Sequence, residues 1–169
     1  MSVGEHPKDP EQHASPEHRF TARLAWGGST GGGYEGYDRG HDVEVGAHRW
    51  RGSAAAEFRG DAALTNPEEL LVVAAAQCQL LSFLAVAARA RIDVVAYRDE
   101  PVGFMPEGNR PMWVTRIELN PHITIAADPA KVSVEKLHRL SEVAHAECFI
   151  AASLRGEVAV SPTFEFVAQ

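Results

Sequence analysis

The chain has 169 residues, 45% of them hydrophobic, and a formal net charge of −7. This length and apolar content predict a single domain with a substantial core. The acidic balance, without any run of basic residues, argues against nucleic acid as a partner, because binding phosphates needs a basic face.

The first 17 residues are polar and contain histidine, proline and acids without an apolar period. Such a composition predicts a disordered polar tail, so we expect the folded domain at residues 18–169. The sequence does not open on an apolar secretory segment, and we therefore expect a cytoplasmic location.

Three strand-like segments follow the tail. Apolar side chains alternate in residues 20–26 and in "HDVEVGA", residues 41–47, and "GSAAAEF", residues 52–58, is a weaker third signal. This alternation predicts half-buried strands joined into an antiparallel meander. The glycine-rich segment 27–40 leads to a strand and not to a helix. We therefore interpret it as a connecting loop that can present Arg39 to a site, and not as a nucleotide-binding loop.

The strongest helical signal is "TNPEELLVVAAAQCQLLSFLAVAARARID", which begins at Thr65. A capping threonine or asparagine, an early proline and two glutamates at the positive end of the helix dipole predict a helix of about 24 residues. Its apolar run would suit a membrane span, but Gln77, Gln79 and Ser82 interrupt it. We interpret it as a buried central helix and expect no membrane partner.

The second half of the chain alternates strands with one more helix. The pattern predicts long strands over residues 93–105 and 111–127, a helix over 128–154 and a final strand over 156–167. Together with the first half, this order of elements predicts an α+β domain.

The chain has two cysteines, Cys78 in the long helix and Cys148 in the second one. From composition alone, Cys78 fits a small core residue as well as a reactive thiol. The two cysteines lack the paired spacing of a metal site, and we expect neither a metal nor a cofactor. Fast thiol peroxidase chemistry would also need an arginine beside the thiolate and the departing alkoxide, and a carboxylate to hold that arginine.

The segments "TNPEELLVVAAAQC" and "AHAECFIAASL" together resemble the OsmC/Ohr family, the osmotically inducible and organic hydroperoxide resistance proteins. The resemblance covers roughly residues 19–167. It implies the OsmC-like fold, with antiparallel sheets wrapped around the two long central helices of an intertwined homodimer. It also implies cysteine-based reduction of organic hydroperoxides to alcohols.

By position, the resemblance gives Cys78 the role of the peroxide-attacking cysteine and Cys148 that of the resolving cysteine. Oxidation would then pass through a Cys78 sulfenate to a Cys78–Cys148 disulfide. Glu68 matches the carboxylate that orients the family's catalytic arginine. Arg39 is the preferred match for that arginine, and Arg59 is the alternative.

The resemblance also implies partners: an organic hydroperoxide as substrate and an external dithiol, such as a lipoylated protein, as reductant. Many family members have a proline after the second cysteine, where this chain has Phe149. The alternative function is a non-catalytic OsmC-fold protein that binds a hydrophobic ligand or partner at the dimer cleft. That alternative predicts a fully buried Cys78, no arginine near it, and a Cys148 too distant to bridge.

Overall fold

The computed structural model describes residues 17–168, and the predicted tail lies almost entirely outside the described residues. The α+β class is confirmed. The helices are α1 (Pro67–Arg89), α2 (Val134–Ala146) and α3 (Phe149–Ser153). The strands are β1 (Arg23–Ala25), β2 (His41–Val45), β3 (His48–Gly52), β4 (Val94–Arg98), β5 (Val102–Phe104), β6 (Arg116–Leu119), β7 (His122–Ala126), β8 (Glu157–Val160) and β9 (Thr163–Val167).

Within the described residues the strands form three sheets, in the orders β1-β2-β3, β4-β7-β9 and β5-β6-β8. The first sheet is the predicted antiparallel meander. The other two are mixed and not antiparallel throughout, because β8 pairs parallel with β6 and β9 pairs parallel with β7. The chain passes through α2 and α3 between β7 and β9. A parallel pair of strands requires a long connection of this kind.

Several predicted strands have different bounds in the structure. The third strand is β3 and not residues 52–58, where a 3₁₀ turn (Ala56–Phe58) lies instead. The long strands of the second half each divide into two. A proline lies at each of these three breaks, and proline cannot donate a ladder hydrogen bond; the three are Pro101, Pro121 and Pro162.

Helix α1 begins with a reciprocal cap at Asn66. The Asn66 side chain accepts a hydrogen bond from the Glu69 backbone N–H at 2.9 Å, and the Glu69 carboxylate accepts one from the Asn66 N–H at 3.1 Å. Pro67 occupies the first helical position, where a missing N–H costs nothing. Glu69 therefore completes the cap, and the carboxylate of its neighbour Glu68 takes no part in it.

One face of α1 builds the core. Phe83, which is fully buried, packs in a cluster with Ile123, Ile125 and Leu137, so α1 contacts both α2 and the β4-β7-β9 sheet. Ala75 belongs to a second cluster beneath the β5-β6-β8 sheet. The buried positions recur at the spacing of one helical face, as the 3.6-residue period requires.

The opposite face of α1 is exposed in the protomer, so the helix is not buried on all sides as expected. Leu70, Val73, Gln77, Leu81 and Leu84 follow one another on that face at spacings of three and four residues, and all are exposed. We call these five residues the α1 stripe. Among residues 17–168, α1 is the one helix long and apolar enough to cross a membrane by length and composition alone, a test that core helices also pass.

The core role of α1 can be tested with Phe83→Ala. Removing this buried ring leaves a cavity between α1 and its sheet, so the free energy of unfolding should fall by ~3–5 kcal/mol. Phe20→Ala is the control, since Phe20 is 93% exposed and its loss should change stability by less than about 0.5 kcal/mol. Urea unfolding followed by circular dichroism measures both. A loss below ~1 kcal/mol for Phe83→Ala would contradict this packing.

Candidate functional site

The two cysteines lie side by side, although 70 positions separate them in the sequence. The Ile150 backbone N–H donates to Cys78 Sγ at 3.4 Å, and the Ala151 N–H donates to Cys148 Sγ at the same distance. The two side chains are also hydrogen-bonded to each other, and both thiols are free. Only a short movement would bring the sulfur atoms to the ~2.05 Å of a disulfide bond.

Cys148 stands at a break in the predicted helix of residues 128–154. Helix α2 ends at Ala146, and Cys148 has an extended backbone with φ −75° and ψ 106°. Its sulfur caps the new helix α3 by accepting the Ala151 N–H. Because of the break, the first backbone N–H groups of α3 point toward the two thiols. In a continuous helix, the same N–H groups would donate to backbone carbonyls of the preceding turn.

The surroundings of the two thiols differ. Cys148 is 1% exposed, whereas Cys78 is half-buried. Burial raises the pKa of the Cys148 thiol, and the hydrogen bond with Cys78 raises it further, against a smaller opposite effect of the Ala151 N–H. Cys148 therefore stays protonated at neutral pH. Cys78 is the thiol that a solute can reach.

Arg39 and Glu68 share a different part of the structure. They line one cleft of about 850 Å³, together with Tyr37 from the glycine-rich loop and Trp26, which precedes that loop. The Arg39 guanidinium donates to the backbone carbonyls of Tyr34 and Tyr37, both at 2.8 Å, and stacks on the Tyr37 ring at 4.1 Å. These contacts order the end of the loop and hold the guanidinium at the cleft.

The protomer does not bring this arginine and carboxylate to the thiols. Glu68 precedes Cys78 by ten residues on one helix, which corresponds to ~15 Å along the axis. Cys78 does not line the Arg39 cleft, and the ion pairs found within residues 17–168 include neither Arg39 nor Glu68. The four predicted site residues thus lie in two places: the thiols contact each other, and Arg39 and Glu68 line a separate cleft.

Arg59, the alternative arginine, lies outside this cleft. It forms an ion pair with Glu35 and has a left-handed backbone with φ 64°. Its guanidinium is therefore already neutralised by a carboxylate of the glycine-rich loop. Of the two arginines, Arg39 is the one that shares a cleft with Glu68.

A second cleft of about 950 Å³ adjoins the first and also includes Glu68. Its walls are largely apolar and include Phe58, Val72, Met105, Met112 and Val114. Sequence reasoning missed Phe58 and Met105 as cleft residues, because it placed them at the ends of the predicted strands 52–58 and 93–105. It also missed the Ile150 and Ala151 donors, since backbone N–H groups leave no trace in residue identity. Among residues 17–168, no group of three or more histidine, cysteine or acidic side chains is arranged to hold a metal.

The difference between the thiols predicts the order of alkylation. In reduced protein, iodoacetamide should modify Cys78 at least ~10-fold faster than Cys148, because alkylation needs an accessible thiolate. The Cys148→Ser and Cys78→Ser variants isolate each thiol, and mass spectrometry follows the adduct. In Cys78→Ser, the rate at Cys148 should still be rising above pH ~8.5, the ordinary thiol pKa. Equal rates for the two thiols would contradict the described burial.

The fold and part of the sequence match known proteins. A family-wide sequence model described as "OsmC-like protein" matches residues 60–163. An OsmC-like protein of unknown function from Vibrio cholerae has a similar structure, with a TM-score of 0.77 and 26% identity, over 87% of this chain and 100% of that one. An organic hydroperoxide resistance protein from Elizabethkingia anophelis matches with a TM-score of 0.63 and 18% identity, over 91% of this chain and 100% of that one.

The uncharacterized protein YmaD of Bacillus subtilis is 26% identical over 102 residues, which are 60% of this chain and 68% of YmaD. Similarity to the Elizabethkingia protein, below 25% identity, concerns the fold alone. The family match is of another kind, since it spans more than half of the sequence and includes both cysteines. The chain therefore belongs to the OsmC-like protein family.

Proposed function

We propose that this protein reduces organic hydroperoxides through Cys78, with Cys148 as the resolving thiol and an external dithiol as reductant. The observation that carries the proposal is the contact between a half-buried and a buried thiol, each with a backbone N–H donor at 3.4 Å. Membership of a family that includes organic hydroperoxide resistance proteins supports the choice of substrate.

The first step uses the Cys78 thiolate as nucleophile. It attacks the outer oxygen of the hydroperoxide, the O–O bond breaks, and the alkoxide takes up a proton to leave as an alcohol. Cys78 is oxidised to a sulfenic acid. The Ile150 N–H, which points at Cys78 Sγ, stabilises negative charge on the sulfur before the attack.

The second step joins the two sulfur atoms. Cys148 attacks the Cys78 sulfenate sulfur, and the released hydroxide takes the Cys148 proton to form water. Because the pKa of Cys148 is raised, this thiol reacts more slowly with peroxide than Cys78 does. Cys148 therefore acts in the resolving step. A dithiol such as a lipoylated protein then reduces the disulfide by two thiol exchanges.

In the proposed mechanism, a second copy of the chain supplies the arginine. In an antiparallel two-fold pairing of α1 helices, Glu68 of one copy faces Cys78 of the other when the axis passes near Val73, the midpoint of these positions. Val73 lies on the α1 stripe, which is apolar except for Gln77 and has no cover in the protomer. Such a homodimer would bury the stripe and bring Arg39 and Glu68 of the second copy to the thiol pair.

The alternative is a non-catalytic protein that binds a hydrophobic ligand or partner at the dimer cleft. The two large apolar clefts favour it. Two of its three expectations fail, because Cys78 is half-exposed and its sulfur contacts Cys148. Its third expectation concerns arginine, and within the protomer Arg39 lines a cleft that does not include Cys78.

Peroxidase assays test the roles of the individual residues. With dithiothreitol as reductant, Cys78→Ser should abolish reduction of cumene hydroperoxide. Arg39→Ala should lower kcat/KM about 100-fold, since loss of one preorganised charged donor costs roughly that much. Arg59→Ala is the matched control and should stay within about twofold of wild type. Full activity of Cys78→Ser would refute the proposal, and equal losses for the two arginine variants would refute the role of Arg39.

Complementation tests whether the site is shared between copies. Cys78→Ser and Arg39→Ala are each expected to be inactive or nearly so. A 1:1 mixture, after subunit exchange, should recover ~25% of the wild-type rate, because half of the dimers are mixed and each holds one intact site. No recovery would mean that Arg39 serves the thiols of its own chain or none.

The control for complementation is Leu81→Glu introduced into both variants. Leu81 is 65% exposed on the α1 stripe, and a charge there should prevent pairing and abolish the recovery. Val95→Glu, at an exposed position on β4, should leave the recovery intact. Sedimentation velocity measures the dimer fraction in each mixture.

A further inference from the structure

Phe149 is the residue between Cys148 and Ile150, and its side chain is 82% exposed. Both of its chain neighbours contact the thiol pair, Cys148 as a member and Ile150 through its N–H at 3.4 Å from Cys78 Sγ. The Phe149 backbone therefore passes beside the Cys78 sulfur. An exposed aromatic ring beside a thiol offers apolar surface to a molecule that binds there.

The backbone of Phe149 is held in place from both sides. The Cys148 sulfur caps α3, and the Ser153 hydroxyl donates to the Phe149 carbonyl at 2.7 Å. The ring thus projects from a fixed first helical turn, so its position relative to Cys78 does not depend on a mobile loop.

Neither of the two clefts described above includes Cys78 or Phe149 among its lining residues. Those clefts lie about the amino end of α1, on the Glu68 side. On its own protomer, Cys78 is flanked by the surface that α1 and α3 form. Phe149 is the large apolar side chain of α3 that remains exposed there.

We propose that Phe149 determines substrate specificity, by packing its ring against the organic group of the hydroperoxide while the peroxide oxygen meets Cys78. This inference rests on the proposed peroxidase function and deepens it. The ring favours hydroperoxides with aryl or branched alkyl groups over hydrogen peroxide, which has no organic group to bury. Its contribution is made in substrate binding and therefore in KM more than in kcat.

The experiment compares two peroxides in three variants with dithiothreitol as reductant. For Phe149→Ala, the ratio of kcat/KM for cumene hydroperoxide to that for hydrogen peroxide should fall about tenfold, mainly through a higher KM for cumene hydroperoxide. Phe149→Leu keeps an apolar side chain and should lose less. Phe20→Ala removes an equally exposed ring elsewhere and should keep the wild-type ratio.

An unchanged ratio in both Phe149 variants overturns the inference and leaves the peroxidase function standing. The inference is also overturned if Phe149→Ala keeps the wild-type ratio but has a lower dimer fraction in sedimentation velocity. The ring would then serve subunit pairing. If the wild-type protein reduces neither peroxide, the proposed function itself fails and the role of Phe149 fails with it.

Discussion

The arrangement of the site depends on one contact, that of the first turn of α3 with the sulfur atoms of Cys78 and Cys148. Neither thiol sits at the amino end of a long helix, so no large helix dipole acts on them. The break at Cys148 supplies two directed N–H groups instead, one for each sulfur. Without that break, Cys148 would continue α2 and its sulfur would have no backbone donor.

Core packing explains why α1 has one buried and one exposed face. Its buried face carries Phe83 and Ala75 into two separate clusters, which fixes the rotation of the helix against both mixed sheets. With that rotation fixed, Cys78 falls at the border between the buried face and the α1 stripe. A thiol in this position is shielded from water on one side and accessible to solutes on the other, as a selective nucleophile requires.

The long helix and its cap could be predicted because their signals are local, such as Asn66 three residues before Glu69. The α+β order followed from periodicity alone. The parallel pairing of β8 with β6 and of β9 with β7 could not be predicted, since strand partners are determined by packing between segments far apart in the chain. Pairing of Cys78 with Cys148 came from family resemblance, and the separation of Arg39 from them needed three-dimensional distances that sequence does not carry.

The two adjacent glutamates at the start of α1 have different roles. Glu69 closes the helix start with its carboxylate, while Glu68 faces the clefts with its own. A glutamine at position 69 could still accept the Asn66 N–H and keep the cap. At position 68 the same change would spare the helix but remove a negative charge from the cleft that Arg39 also lines. Two neighbouring and chemically identical residues thus tolerate different substitutions, one limited by geometry and the other by charge.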